Sequence, residues 1–69
     1  MRISYKRLWK LLIDRNMKKT DLKEQAQISS SSIAKLGRNE NVNTDILVKI
    51  CQALNCKLED IMELEEDQQ

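Results

Sequence analysis

Two stretches of this chain carry apolar residues at the i, i+3, i+4, i+7 spacing of one helix face: Tyr5, Leu8, Trp9 and Leu12, then Leu47, Ile50, Cys51 and Leu54. That spacing commits both to amphipathic helices with one side in a core. With no Pro, one Gly and two aromatic residues in 69, the chain has little to interrupt helices or to favour a sheet. The expectation is an all-α fold. A chain this short buries only about 60% of its unfolded surface, so residues 1–69 read as a single domain with no room for a second core.

Punctuation divides that fold into five expected helices. Ser4 is a candidate N-cap for a first helix reaching Arg15, and Asn16 can take the left-handed conformation that stops it. A second helix, about Lys19 to Ala26, turns Leu22 and Ala26 inward; Thr20 or Asp21 would cap its start better than Lys18. A third begins at Ser29 or Ser30, buries Ile33 and Leu36, and meets Gly37 as its terminator. Ile28 is the apolar plug in the turn between the second and third. Asn43 or Thr44 caps the fourth and Asn55 ends it. A short fifth helix is expected from Leu58 to Leu64, with the tail at 65–69 fraying.

The net charge of +1 conceals a strong polarity. Residues 1–38 hold ten Lys/Arg against three acids, a net of +7, and residues 39–69 hold two against eight, a net of −6. The basic half contains the closely spaced helix pair at about 19–36. Two helices joined by a tight turn can lay the second in a DNA major groove while the first crosses the phosphate backbone. A positive surface suits that use because each phosphate neutralised releases counterion. The plainer reading is that both signs decorate solvated helices; coincidence of the positive half with the helix pair favours the functional one.

In order and spacing the chain resembles the Cro/CI-type, phage-repressor-like helix-turn-helix DNA-binding domains, most of all small stand-alone bacterial transcriptional regulators. The likeness covers about Leu8 to Leu64. It is carried by Met17-Lys18-Lys19-Thr20-Asp21-Leu22, by Ile28-Ser29-x-Ser31-Ser32-Ile33, by Leu36 and the loop Gly37-Arg38-Asn39-Glu40-Asn41-Val42, by Leu47-x-x-Ile50-Cys51-x-Ala53-Leu54-Asn55-Cys56, and by Leu58-Glu59-Asp60-Ile61-Met62. Two departures stand out: Lys23 where the family usually has Ala, and Gln27 where its turn usually has Gly. A Gln there bears the left-handed penalty that Gly avoids.

The resemblance implies a compact five-helix, lambda-repressor-like fold and a sequence-specific DNA-binding transcriptional regulator, a repressor, reading the major groove with the helix at 29–36. By position Ser30, Ser31, Ala34 and Lys35 would face base edges, and Lys18, Lys19, Ser29, Arg38 and Asn39 would approach phosphates. Lys35 can donate to guanine, whereas Ser hydroxyls donate or accept and so discriminate weakly; for Ser29 a helix cap is the better reading. One such helix reads few base pairs, so a homodimer is expected, with Leu58, Ile61, Met62 and Leu64 as its contact or, alternatively, as closure of the monomer core.

Cys51 and Cys56 have no His nearby in a chain that has none, so neither a metal site nor a cofactor is expected, and both read as small core residues. With no His base and no Gly-rich phosphate loop, the chain is expected not to be an enzyme. No apolar run approaches the roughly 20 residues of a membrane span, and charges interrupt any signal-like segment in MRISYKRLWK; a cytoplasmic location is expected. Two alternatives stay open: a protein-interaction module or antitoxin-like accessory regulator whose acidic half engages a protein partner, and a nucleic-acid binder without sequence preference.

Overall fold

The structure is a computed structural model that describes residues 1–66. Strand β1 (Arg2–Ser4) leads into α1 (Lys6–Asp14), α2 (Lys19–Ala26), α3 (Ser30–Gly37) and α4 (Thr44–Leu54), followed by a single 3-10 turn (Leu58–Asp60) and strand β2 (Glu63–Glu65). Among the described residues there are therefore four α-helices, not five. No helix among them is long and apolar enough to cross a membrane.

The expected fifth helix is replaced by a turn and a strand. Asp60 accepts the Lys57 backbone N–H at 2.9 Å, and the Asp60 and Ile61 N–H groups reach back three residues, to the Lys57 and Leu58 carbonyls, closing one tight turn. Beyond it, Glu63-Leu64-Glu65 alternates in period two and pairs antiparallel with β1: Arg2 opposite Glu65, Ile3 opposite Leu64, Ser4 opposite Glu63. Opposite charges face across the Arg2–Glu65 pair, which suits a two-stranded ladder. Glu65, expected to begin the frayed tail, is thus the end of a strand; Glu66 follows outside any element, and the rest of that expectation, at 67–69, lies outside the described residues.

Ser4 is likewise a strand residue rather than the cap of α1. The cap position is Tyr5, and Ser4, buried, accepts the Lys6 N–H through its hydroxyl at 3.3 Å. The start of α1 is instead tied across the chain. The Tyr5 N–H donates to Asn39 Oδ1, and the Tyr5 hydroxyl donates to the Glu40 carbonyl, each at 3.0 Å.

All four helices stop the same way. The residues with positive φ are Asn16 (55°), Gln27 (56°), Asn39 (57°) and Asn55 (52°), and none is glycine. After each, a backbone N–H bonds five residues back: Met17 to Leu12, Ile28 to Lys23, Glu40 to Lys35 and Cys56 to Cys51. These are left-handed Schellman closures. Gly37, expected as a terminator, is the last residue of α3 with an ordinary backbone; Asn39 does that work. Gln27 does adopt the left-handed conformation foreseen for it.

The core joins Tyr5, Leu8 and Leu12 of α1 to Leu22 and Ala26 of α2, Ile28 in the turn, Leu36 of α3, Leu47, Ile50 and Leu54 of α4, and Ile61. Ile28 is buried between α2 and α3, as the plug reading requires. Ile61 is fully buried, which removes it from the expected dimer surface and puts it in the monomer core. Leu58 and Leu64 are 50% and 63% exposed, and Met62 is half-buried.

Candidate nucleic-acid interface

Helix α3 begins on a serine cluster. Ser29 is the N-cap, and its Oγ accepts the Ser32 N–H at 3.1 Å. The same oxygen lies 2.9 Å from Ser31 Oγ and 3.0 Å from Ser32 Oγ. Capping is the role the sequence favoured for Ser29. The shared hydrogen bond also occupies part of the Ser31 hydroxyl's capacity.

Leu36 is fully buried and Ile33 half-buried, so α3 turns that side to the core. Ser30, Ser31, Ala34 and Lys35 fall at i, i+1, i+4 and i+5, and all four are exposed. The structure thus brings the expected base-facing residues onto one open face of α3.

Lys18 and Lys19 open α2, both exposed. Lys18 occupies the N-cap position, where its side chain makes no capping bond. Asp21 compensates by accepting the Lys18 N–H at 2.9 Å. Thr20 and Asp21 are better caps by type, but Asp21 serves from the third helical position instead.

Two expected phosphate contacts already have internal partners. Asn39 spends its side-chain oxygen on the Tyr5 N–H, which leaves its NH₂ as donor. Arg38 forms an exposed ion pair with Glu40. The hydrogen bond from Arg38 holds the Glu40 carboxyl below its ordinary range, and Glu40 in turn raises Arg38.

The charge polarity has a structural component that sequence reasoning did not assign. Arg7 donates to Glu63 Oε2 and to the Glu59 carbonyl, each at 3.1 Å, and Lys6 pairs with Glu65 at 3.7 Å. Arg15 donates to the Leu54 carbonyl at the end of α4. Basic α1 therefore meets the acidic C-terminal segment within the chain. The signal was present as Lys6 and Arg7 at one end of the chain and the acids at 59–65 near the other, but it needed the antiparallel pairing of β1 and β2 to become contacts.

Cys51 and Cys56 are free and half-buried. Burial, then the neighbouring Cys51, pushes the Cys56 thiol up to about 11 from 9.0. At pH 8, alkylation of Cys56 is expected to run roughly a hundredfold slower than for an ordinary thiol, because the thiolate is the nucleophile. Peptide mapping after a timed iodoacetamide pulse measures this. Folding favours the protonated thiol, so its contribution to stability is complete below about pH 9 and is lost as pH rises through about 11. No group of three or more His, Cys, Asp or Glu that could hold a metal occurs among the described residues.

Two short helices, a left-handed turn and an open face on the second define the helix-turn-helix class. A family model described as the Cro/C1-type HTH DNA-binding domain matches residues 7–67, and the chain belongs to that family. Among solved structures it is similar to one described as transcriptional regulator VanUg, Form II. The two share 56% identity, with a TM-score of 0.88, over 94% of this chain and 88% of that one. Comparison with curated proteins gives no match.

Proposed function

We propose that this chain is a sequence-specific DNA-binding transcriptional regulator, a repressor, that lays α3 in the major groove and binds a two-fold site as a homodimer. The observation that carries the reading is the exposed set Ser30, Ser31, Ala34 and Lys35 on the face of α3 opposite buried Leu36. Family membership and the similarity to a transcriptional regulator support it. Lys35 is the one strong base-edge donor in the set, and Ser30 and Ser31 add weaker, water-adaptable contacts. Lys18, Lys19, Arg38 and the Asn39 NH₂ take backbone phosphates, while Ser29 caps the helix. Leu58, Met62 and Leu64 remain for the contact between copies.

The test is to incubate the protein with fragmented genomic DNA at about physiological salt and sequence what it retains. Enrichment of a short, roughly palindromic site, lost in Lys35→Ala, is the expected result. Uniform retention would leave a general nucleic-acid binder, and no retention would point to a protein partner; either result overturns the proposal.

The Arg38–Glu40 pair gives a further prediction. Removing the carboxylate in Glu40→Gln frees Arg38 for a phosphate. Affinity for the selected duplex is expected to rise about two- to fivefold, with a salt slope steeper by about one. A titration across several salt concentrations reads both.

A further inference from the structure

The geometry points to Trp9 as a positioning residue that holds the Lys19 ammonium ready for a DNA backbone phosphate, a role that rests on the DNA-binding reading above. Lys19 is the first residue of α2, and its side chain reaches back to α1, where Nζ lies 4.7 Å from the centroid of the Trp9 ring. A Cβ built on Gly37 would lie 3.9 Å from the same Nζ, so the ammonium is also beside the end of α3. One side chain thus gathers α1, α2 and α3 around a cation that stays exposed.

Three features make this a placement and not a chance contact. Trp9 sits on the apolar stripe of α1 yet is only half-buried, leaving a ring face open for the ammonium. Gly37 is not required by its backbone conformation, since the left-handed residue there is Asn39. Gly37 leaves open surface beside Nζ, and even an added Cβ would meet it only at ordinary van der Waals distance. Trp9 and Gly37 also line a polar concavity with Arg2, Lys6, Asn39 and Glu65; Glu65 pairs with Lys6, which leaves Arg2 as the cation in surplus there.

Lys loses more rotamer freedom than most residues when it makes a fixed contact. A ring that already restricts Nζ has met part of that cost before DNA arrives. The ring covers one side of the ammonium, and the remaining N–H groups can donate to a phosphate oxygen. Lys18, one residue earlier, has no such ring contact among the described residues.

A double-mutant cycle on the duplex enriched in the selection tests this. Lys19→Ala is expected to weaken binding and lower the salt slope by about one. Trp9→Leu is expected to weaken binding about two- to fivefold, with Trp9→Phe intermediate. In the Lys19→Ala background, Trp9→Leu should add no further loss. Trp9 is the chain's only Trp, so its emission should also change on DNA addition in the unsubstituted protein and not in Lys19→Ala. That measurement decides the matter even where Trp9→Leu does not fold. Additive losses, or an emission change that persists without Lys19, would overturn the role of Trp9 while leaving DNA binding in place. A protein that binds no duplex overturns both.

Discussion

Replacing Ile61 by Ala is expected to destabilise the domain by about 2–5 kcal/mol, the usual cost of truncating a fully buried Ile and leaving a cavity. Ile61 is completely inaccessible and belongs to the same cluster as Leu8, Ile50 and Leu54. Domains of this size rarely hold more than about 3–5 kcal/mol in total, so the variant should be largely unfolded at 37 °C. Urea denaturation followed by circular dichroism, at two protein concentrations, makes the measurement. The loss should be independent of concentration, because Ile61 is a monomer core residue. Leu64→Ala, at a residue 63% exposed, should stay within about 0.5 kcal/mol in the monomer. If Ile61→Ala were as stable as the unsubstituted chain, the segment after α4 would not belong to the core.

Ile61 also shows where the sequence was legible and where it was not. The stripes Tyr5-Leu8-Leu12 and Leu47-Ile50-Leu54 repeat over enough turns for period 3.6 to be decisive, and α2 spans 19–26 as read. Leu58, Ile61 and Met62 offered only i, i+3, i+4, a spacing that one 3-10 turn satisfies as well as a helix. The deciding information lay elsewhere, in Arg2-Ile3-Ser4, which supplies a partner strand more than fifty residues distant. A local pattern cannot show that a segment will be paired by the other end of the chain. The alternation Glu63-Leu64-Glu65 was the one local hint of strand.

Across the four helices one start and one stop were misread. Asn16 and Asn55 end their helices as expected, in the left-handed conformation that short polar residues tolerate, and Gln27 adopts it where the family resemblance put a Gly position. Gly37 misled for the same reason, being the residue type most tolerant of that conformation yet standing two places too early. The start of α1 was misplaced by one residue, since the N–H of its cap, Tyr5, is met by Asn39 from another helix end. The candidate site was legible as a face, because periodicity alone sets Ser30, Ser31, Ala34 and Lys35 together. The internal partners of Arg38 and Asn39 were not, and they decide how much of the basic half is free for phosphates.

Ala34→Glu is expected to abolish DNA binding without touching the fold. Ala34 is exposed in the middle of α3, flanked on the same face by Ser30, Ser31 and Lys35. Glu is a good helix former, so a thermal melt should move little. In the groove, however, the new carboxylate would face the phosphates and the acceptor-rich base edges. Like-charge juxtaposition at an interface costs several kcal/mol, and each 1.4 kcal/mol is about tenfold in affinity. A loss of at least about a hundredfold is therefore expected for the selected duplex at fixed salt. Ala34→Gln, with the same length and no charge, should bind far better than Ala34→Glu, which separates charge from bulk. Undiminished binding by a folded Ala34→Glu protein would take α3 out of the groove and move the interface to another basic surface of the domain.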